Sequence, residues 1–178
     1  GEVRVTRLLV VIVAVLGVAW LAPLLAPHDP FATHLMNRLQ PPAWLVGGSS
    51  EFVLGTDQLG RDVLSRFLHG TRTALLIGLT GGGAVIVIGV FLGLIAGYVG
   101  GFVDGFINRV GEIFTSVPTL IFAIAVLGTI GAGIVPLIGT IAVLNWPGPM
   151  RVVRSEVIAL REREFVQAAT AVGASQLR

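Results

Sequence analysis

Four apolar runs dominate the chain, at residues 8–26, 74–97, 113–130 and 134–150, and its polar residues are gathered between them and after the last. Each run is close to the ~20 residues that carry a helix across ~30 Å of hydrocarbon. None alternates apolar and polar with the period of two that a barrel strand requires. The pattern predicts an all-α, polytopic membrane protein with four transmembrane helices. Residues 1–26 form an N-terminus and first span, 27–73 a loop, and 74–178 the remaining membrane domain, with a polar loop at 151–178. The first run follows Arg4 and Arg7, as a secretory signal would, but its apolar core exceeds the ~7 to 15 residues such signals use, so it reads as a retained anchor.

The loop is not uniform. Prolines scattered over residues 23–42 exclude regular helix throughout that stretch. After it, Thr56 or Asp57 is placed to cap a helix in which Leu59, Val63 and Phe67 line one side and Arg61, Ser65 and His69 another, with Asp62 and Arg66 as an i, i+4 pair. This predicts an interfacial amphipathic helix leading into the second span. That span carries Gly89, Gly93 and Gly97 four residues apart, the spacing that lets a second helix backbone approach closely in lipid. Pro147 and Pro149 are expected to distort the inner end of the fourth span, and Trp146 suits the interfacial aromatic belt. Asn145, the one amide in the spans, either lines a pathway or satisfies a carbonyl freed by those prolines.

The polar end, residues 161–178, has a period of its own. Phe165, Ala168, Ala169 and Val172 share one helical face, made shallow by the two alanines. Glu162 and Glu164 suit a helix N-terminus, Gly173 suits the residue just past a helix end, and Ala174-Ser175 offers a cap for a second short helix. A helix, a glycine turn and a new helix start beside a bilayer describe a docking element; an amphipathic tail lying on lipid gives the same periodicity.

Charge adds direction. Lysine is absent, and with the N-terminus cytoplasmic the arginines divide into eight inside (Arg4, Arg7, Arg109, Arg151, Arg154, Arg161, Arg163, Arg178) and four outside (Arg38, Arg61, Arg66, Arg72), in accord with the positive-inside rule. Charged residues are 12% of the chain against roughly 25% in a soluble domain. The net charge of +2 is no footprint of nucleic-acid binding. Without lysine there is no GxxxxGK[ST] phosphate loop, so any ATP chemistry must lie in another polypeptide. Residues 74–97 and 113–150 hold no Asp, Glu, Arg or His, which excludes a mid-membrane proton relay there. Ser65 and His69 make the only nucleophile and base pair in view and lack a third orienting group, so a solvated face is preferred over catalysis. His28, Asp29 and His34 in a Pro-rich loop are a weak metal signal and read as surface, and no cysteine supplies thiolates.

Three segments then carry a resemblance. LGTDQLGRDVLSRFLHGTR (54–72), GYVGGFVDGFINRVGEIFTSVPTLIFAIAV (97–126) and WPGPMRVVRSEVIALREREFVQAATAVGAS (146–175) are similar to the inner-membrane permease subunits of ABC importers of the dipeptide, oligopeptide and nickel class. The first resembles their external signature, at Gly55, Thr56, Asp57, Gly60, Arg61 and Asp62. The third resembles their EAA loop, whose coupling helix enters a groove on the ATPase, here through Glu164, Phe165, Gln167, Ala168, Ala169 and Gly173. Gln167 stands where the family has the glutamate of the triplet, which implies weaker electrostatics and preserved docking. The resemblance implies an importer-type bundle in a bacterial or archaeal inner membrane and alternating access for peptides or a related small solute, possibly nickel. It implies a related, non-identical second permease, two ATPase subunits holding ATP and Mg, and an extracytoplasmic binding protein, with no cofactor on this chain. The family's motif and spans continue past the point where residue 178 falls, so the expectation is a fragment. A truncated or repurposed non-transporting structural membrane protein is the competing expectation.

Overall fold

The computed structural model of the chain describes residues 2–173, those at 2–4, 12, 169 and 170 by backbone alone; the helix start expected at Ala174-Ser175 lies outside them. Regular structure among these residues is helical, apart from one bridge between Thr56 and Asp62. The chain divides into two compact units, Gly1–Leu76 and Ile77–Arg178.

The first unit opens with α1 (Glu2–Leu25), whose stretch Val5–Leu25 is long and apolar enough to cross a membrane. Past it the backbone is irregular, with a single 3-10 turn at Leu35–Asn37, as the prolines dictate. α2 (Val63–Val99) begins in this unit and runs for 37 residues, about 55 Å at 1.5 Å per residue. The expected interfacial helix and second span are therefore one helix. It starts at Val63 rather than near Asp57, because Gly60 turns the chain through φ +75° and Asp57 commits its carboxylate to amides of its own loop.

The second unit continues α2 into α3 (Gly101–Ser116), α4 (Thr119–Ile130), α5 (Ile134–Asn145), α6 (Pro147–Arg161) and α7 (Glu164–Ala171). The run expected as a single third span is broken at Val117-Pro118, and α3 and α4 meet at 85°. Proline lacks the amide that would continue the ladder and drives the preceding residue out of the helical region; Val117 is extended, at φ −94° and ψ 128°. The expected fourth span ends at Asn145 and resumes as α6 after Trp146, with Pro147 at the first helical position, where proline is tolerated. Among the described residues two helices are long and apolar enough to span a bilayer, three if α3 and α4 are one bent span.

The core of this unit is built from α2, α3 and the α5–α6 junction. Ala96, Ile107, Trp146 and Met150 are buried together, with Leu92, Val110 and Phe114 packed around them. Trp146 is 5% exposed and meets Phe114 edge-on at 6.1 Å, so it is a core residue and no belt anchor. Asn145 donates its amide to the Ile141 carbonyl one turn earlier, at 2.9 Å, rather than to a carbonyl freed by either proline.

Candidate functional site

The residues expected as an external signature, Gly55 to Asp62, form a closed loop. Gly55 (φ +76°) and Gly60 (φ +75°) hold left-handed backbone against neighbouring carbonyls; a Cβ on either would stand 2.3 Å from the Gln40 oxygen or 1.8 Å from that of His34. Thr56 Oγ1 accepts from the Gln40 amide at 2.9 Å and donates to the Asn37 carbonyl. Asp57 Oδ1 accepts from the amides of Leu59 (2.8 Å) and Arg61 (3.0 Å), and Oδ2 from the guanidiniums of Arg61 (2.8 Å) and Arg66. Partial burial pushes this carboxyl up, but the bonds from Arg61 and Leu59 outweigh it and hold Asp57 at about 2. Arg66 thus pairs with Asp57 and not, as i, i+4 spacing suggested, with Asp62.

Asp62 takes the capping role instead. It is buried, and its Oδ2 accepts from the Ser65 amide (3.0 Å) and hydroxyl (2.5 Å) at the start of α2. The His28 amide donates to Ser65 Oγ at 3.1 Å. A fully buried hydroxyl engaged with a carboxylate on one side and an amide on the other is a structural element. His69 packs against the edge of Phe31, and the rings of His28 and His34 both rest near Phe52.

The second region is the α6–α7 segment. Along α2, Gly89, Gly93 and Gly97 face successive turns of α6: a Cβ on each would lie 2.7 Å from Pro149 Cβ, 2.7 Å from the Met150 carbonyl and 2.8 Å from Val157 Cβ respectively. The small residues let the two backbones approach, as close helix packing in lipid requires. α6 is also fastened by its arginines. Arg154 grips Asp104 in the first turn of α3 through both carboxylate oxygens, Nη2 to Oδ2 at 2.5 Å, while Asn108 bonds Asp104 Oδ1 at 2.7 Å. Arg151 reaches Thr115 Oγ1 at 3.3 Å. Arg161 donates to the Gly97 (3.1 Å) and Tyr98 (2.8 Å) carbonyls at the end of α2, its guanidinium 6.0 Å from the Tyr98 ring centroid. Sequence spacing assigned these arginines to topology and missed their partners, which lie 36 to 64 residues away in the chain.

From this mount the chain turns at Glu162-Arg163 into α7. The Arg163 carbonyl accepts from the Val166 and Gln167 amides, and the Gln167 side chain returns to the Glu162 carbonyl at 3.2 Å. Glu164, Phe165 and Ala168 are exposed, Phe165 by 66% and Val172 by 89%. Gly173, at φ +88°, occupies the position past the helix end.

Comparisons with known proteins bear on both regions. Residues 89–178 match the family model of the binding-protein-dependent transport system inner membrane component, and residues 8–42 match the N-terminal TM domain of oligopeptide transport permease C. The chain is 37% identical to the di/tripeptide transport system permease protein DppC of Pseudomonas aeruginosa over 90% of its own length and 53% of that protein's. It is 38% identical to the nickel transport system permease protein NikC of Escherichia coli over 97% of itself and 60% of the relative. With the oligopeptide transport system permease protein OppC of Bacillus subtilis the identity is 32%, over 96% and 54%. The chain therefore spans about half the length of the curated relatives it matches. Its helical architecture and a family match over half its residues together assign the chain to the binding-protein-dependent transport system inner membrane components.

Proposed function

We propose that the chain is part of a permease subunit of an ATP-driven importer for peptides or a related small solute, nickel included, set in the inner membrane with its N-terminus cytoplasmic. It works beside a related, non-identical permease, receives solute from an extracytoplasmic binding protein, and docks one of two ATPase subunits, which hold the ATP and Mg. The carrying observation is the exposed apolar face of Phe165 and Ala168 on α7 and Val172 just past its end, beside a strongly fastened α6. An exposed Phe and Val flanked by acidic and basic residues suit insertion into a protein groove. The external-signature loop is the part that positions the outer face for the binding protein.

The test is retention of the ATPase. Ala168→Arg is expected to abolish co-purification of the cognate ATPase subunit while the protein stays in the membrane fraction. Undiminished recovery of the ATPase with Ala168→Arg and with Phe165→Asp would sink the docking role.

A further inference from the structure

Two arginine clamps stand out because they use charge where the surrounding contacts are apolar. The Arg154–Asp104 pair is three-quarters or more shielded on the carboxylate side, with side-chain exposures of 31% and 18%, and joins the middle of α6 to the first turn of α3. Arg161, the last residue of α6, bridges two carbonyls in the last turn of α2, where carbonyls have no partner within their own helix. Seven residues separate Arg154 and Arg161, two turns of helix, so both project from one side of α6. Between them Val157 closes on Gly97. The end of α2, the start of α3 and the end of α6 are thus held at three points, and Arg161 stands three residues before α7 begins.

Resting on the docking role proposed above, we propose that Arg161 and the Arg154–Asp104 pair are positioning residues that make α6 move as one body with the α2–α3 corner, so that displacement of α7 by an ATPase is delivered to the bundle. A helix fastened by apolar contact alone can slide along a glycine groove, since such contacts are non-directional. A bidentate guanidinium–carboxylate bond and a bridged carbonyl pair fix both register and rotation. Asn108 donates to the same Asp104 Oδ1 that Arg154 Nε grips, and to the Asp104 carbonyl, which holds the carboxylate in place.

The experiment uses the assembled importer, with its ATPases and binding protein, in lipid vesicles, and reads solute moved per ATP hydrolysed alongside the amount of ATPase retained. Arg161→Gln and Asp104→Asn are expected to keep the ATPase bound and lower that ratio at least tenfold. Combining Asp104→Arg with Arg154→Asp restores it, and Arg161→Lys, which keeps the charge but loses the planar guanidinium lying over Tyr98, recovers it only in part. An unchanged ratio in Arg161→Gln and Asp104→Asn overturns the proposal. Variants that fail to assemble, with the exchanged pair assembling but still uncoupled, overturn it too. Absence of ATPase from the unaltered complex would instead overturn the docking role itself, which separates the two failures.

Discussion

In the loop from Gly55 to Asp62 the side chains of Thr56, Asp57, Arg61 and Asp62 all turn back on their own surroundings, each bonded within the loop or to the segment packed on it. Between Glu164 and Gly173 the opposite holds: Phe165, Ala168 and Val172 face outward, and the Gln167 side chain reaches back to the Glu162 carbonyl. As strings of letters the two motifs are equally distinctive, yet one encodes a conformation and the other a surface. A loop without helix or strand must satisfy its backbone groups through side chains and left-handed glycines. A helix bonds part of its backbone internally without using its side chains, which can then face a partner.

The contrast can be broken first at Gly60. Gly60→Ala forces a Cβ into the His34 carbonyl on left-handed backbone and is expected to cost about 3 kcal/mol, read as protease cleavage between residues 34 and 62. Near-normal resistance would mean that the loop is not the rigid closure described. Next is Gly93→Leu, which overfills the α2–α6 contact at Met150 and Val153 and should cost about 1–3 kcal/mol in detergent unfolding. Asp57→Asn comes third, at about 1–2 kcal/mol, from the lost charge-assisted bonds of Arg61 and Arg66. Because the folded carboxyl lies below its unfolded value of 3.8, its contribution is full above that pH and is lost as pH falls toward about 2. Loop protection should therefore decline over that window, and the Asn variant should show no such decline. The smallest stability effect belongs to Phe165→Ala, expected within about 0.5 kcal/mol of the unaltered protein because the ring is exposed. A large loss there would move α7 into the class of conformational motifs.

Much of the helical framework was legible because it rests on local terms. Apolar runs of membrane length specified α1 and the span within α2, and the Phe165–Val172 period with its terminal glycine specified α7. What escaped was decided by single residues or by distance. Pro118 splits a run that hydropathy joins, and Gly60 postpones a helix that amphipathicity would begin earlier. Arg66, Arg154 and Arg161 find partners that no i, i+4 rule can nominate. Trp146 was assigned to a water interface by residue type, whereas Met150 and Phe114 close around it in the core.

The break at Pro118 has a bearing on the lipid itself. α4 keeps 12 residues, about 18 Å of helix, against ~30 Å of hydrocarbon. A bilayer meeting it directly would have to thin by roughly 12 Å, at fractions of a kcal/mol for every ångström. The Phe114 carbonyl, whose helical donor Pro118 cannot supply, would also face a medium without hydrogen bonds to offer. Both penalties fall away where other helices or water surround these groups, as within a bent span formed by α3 and α4 together.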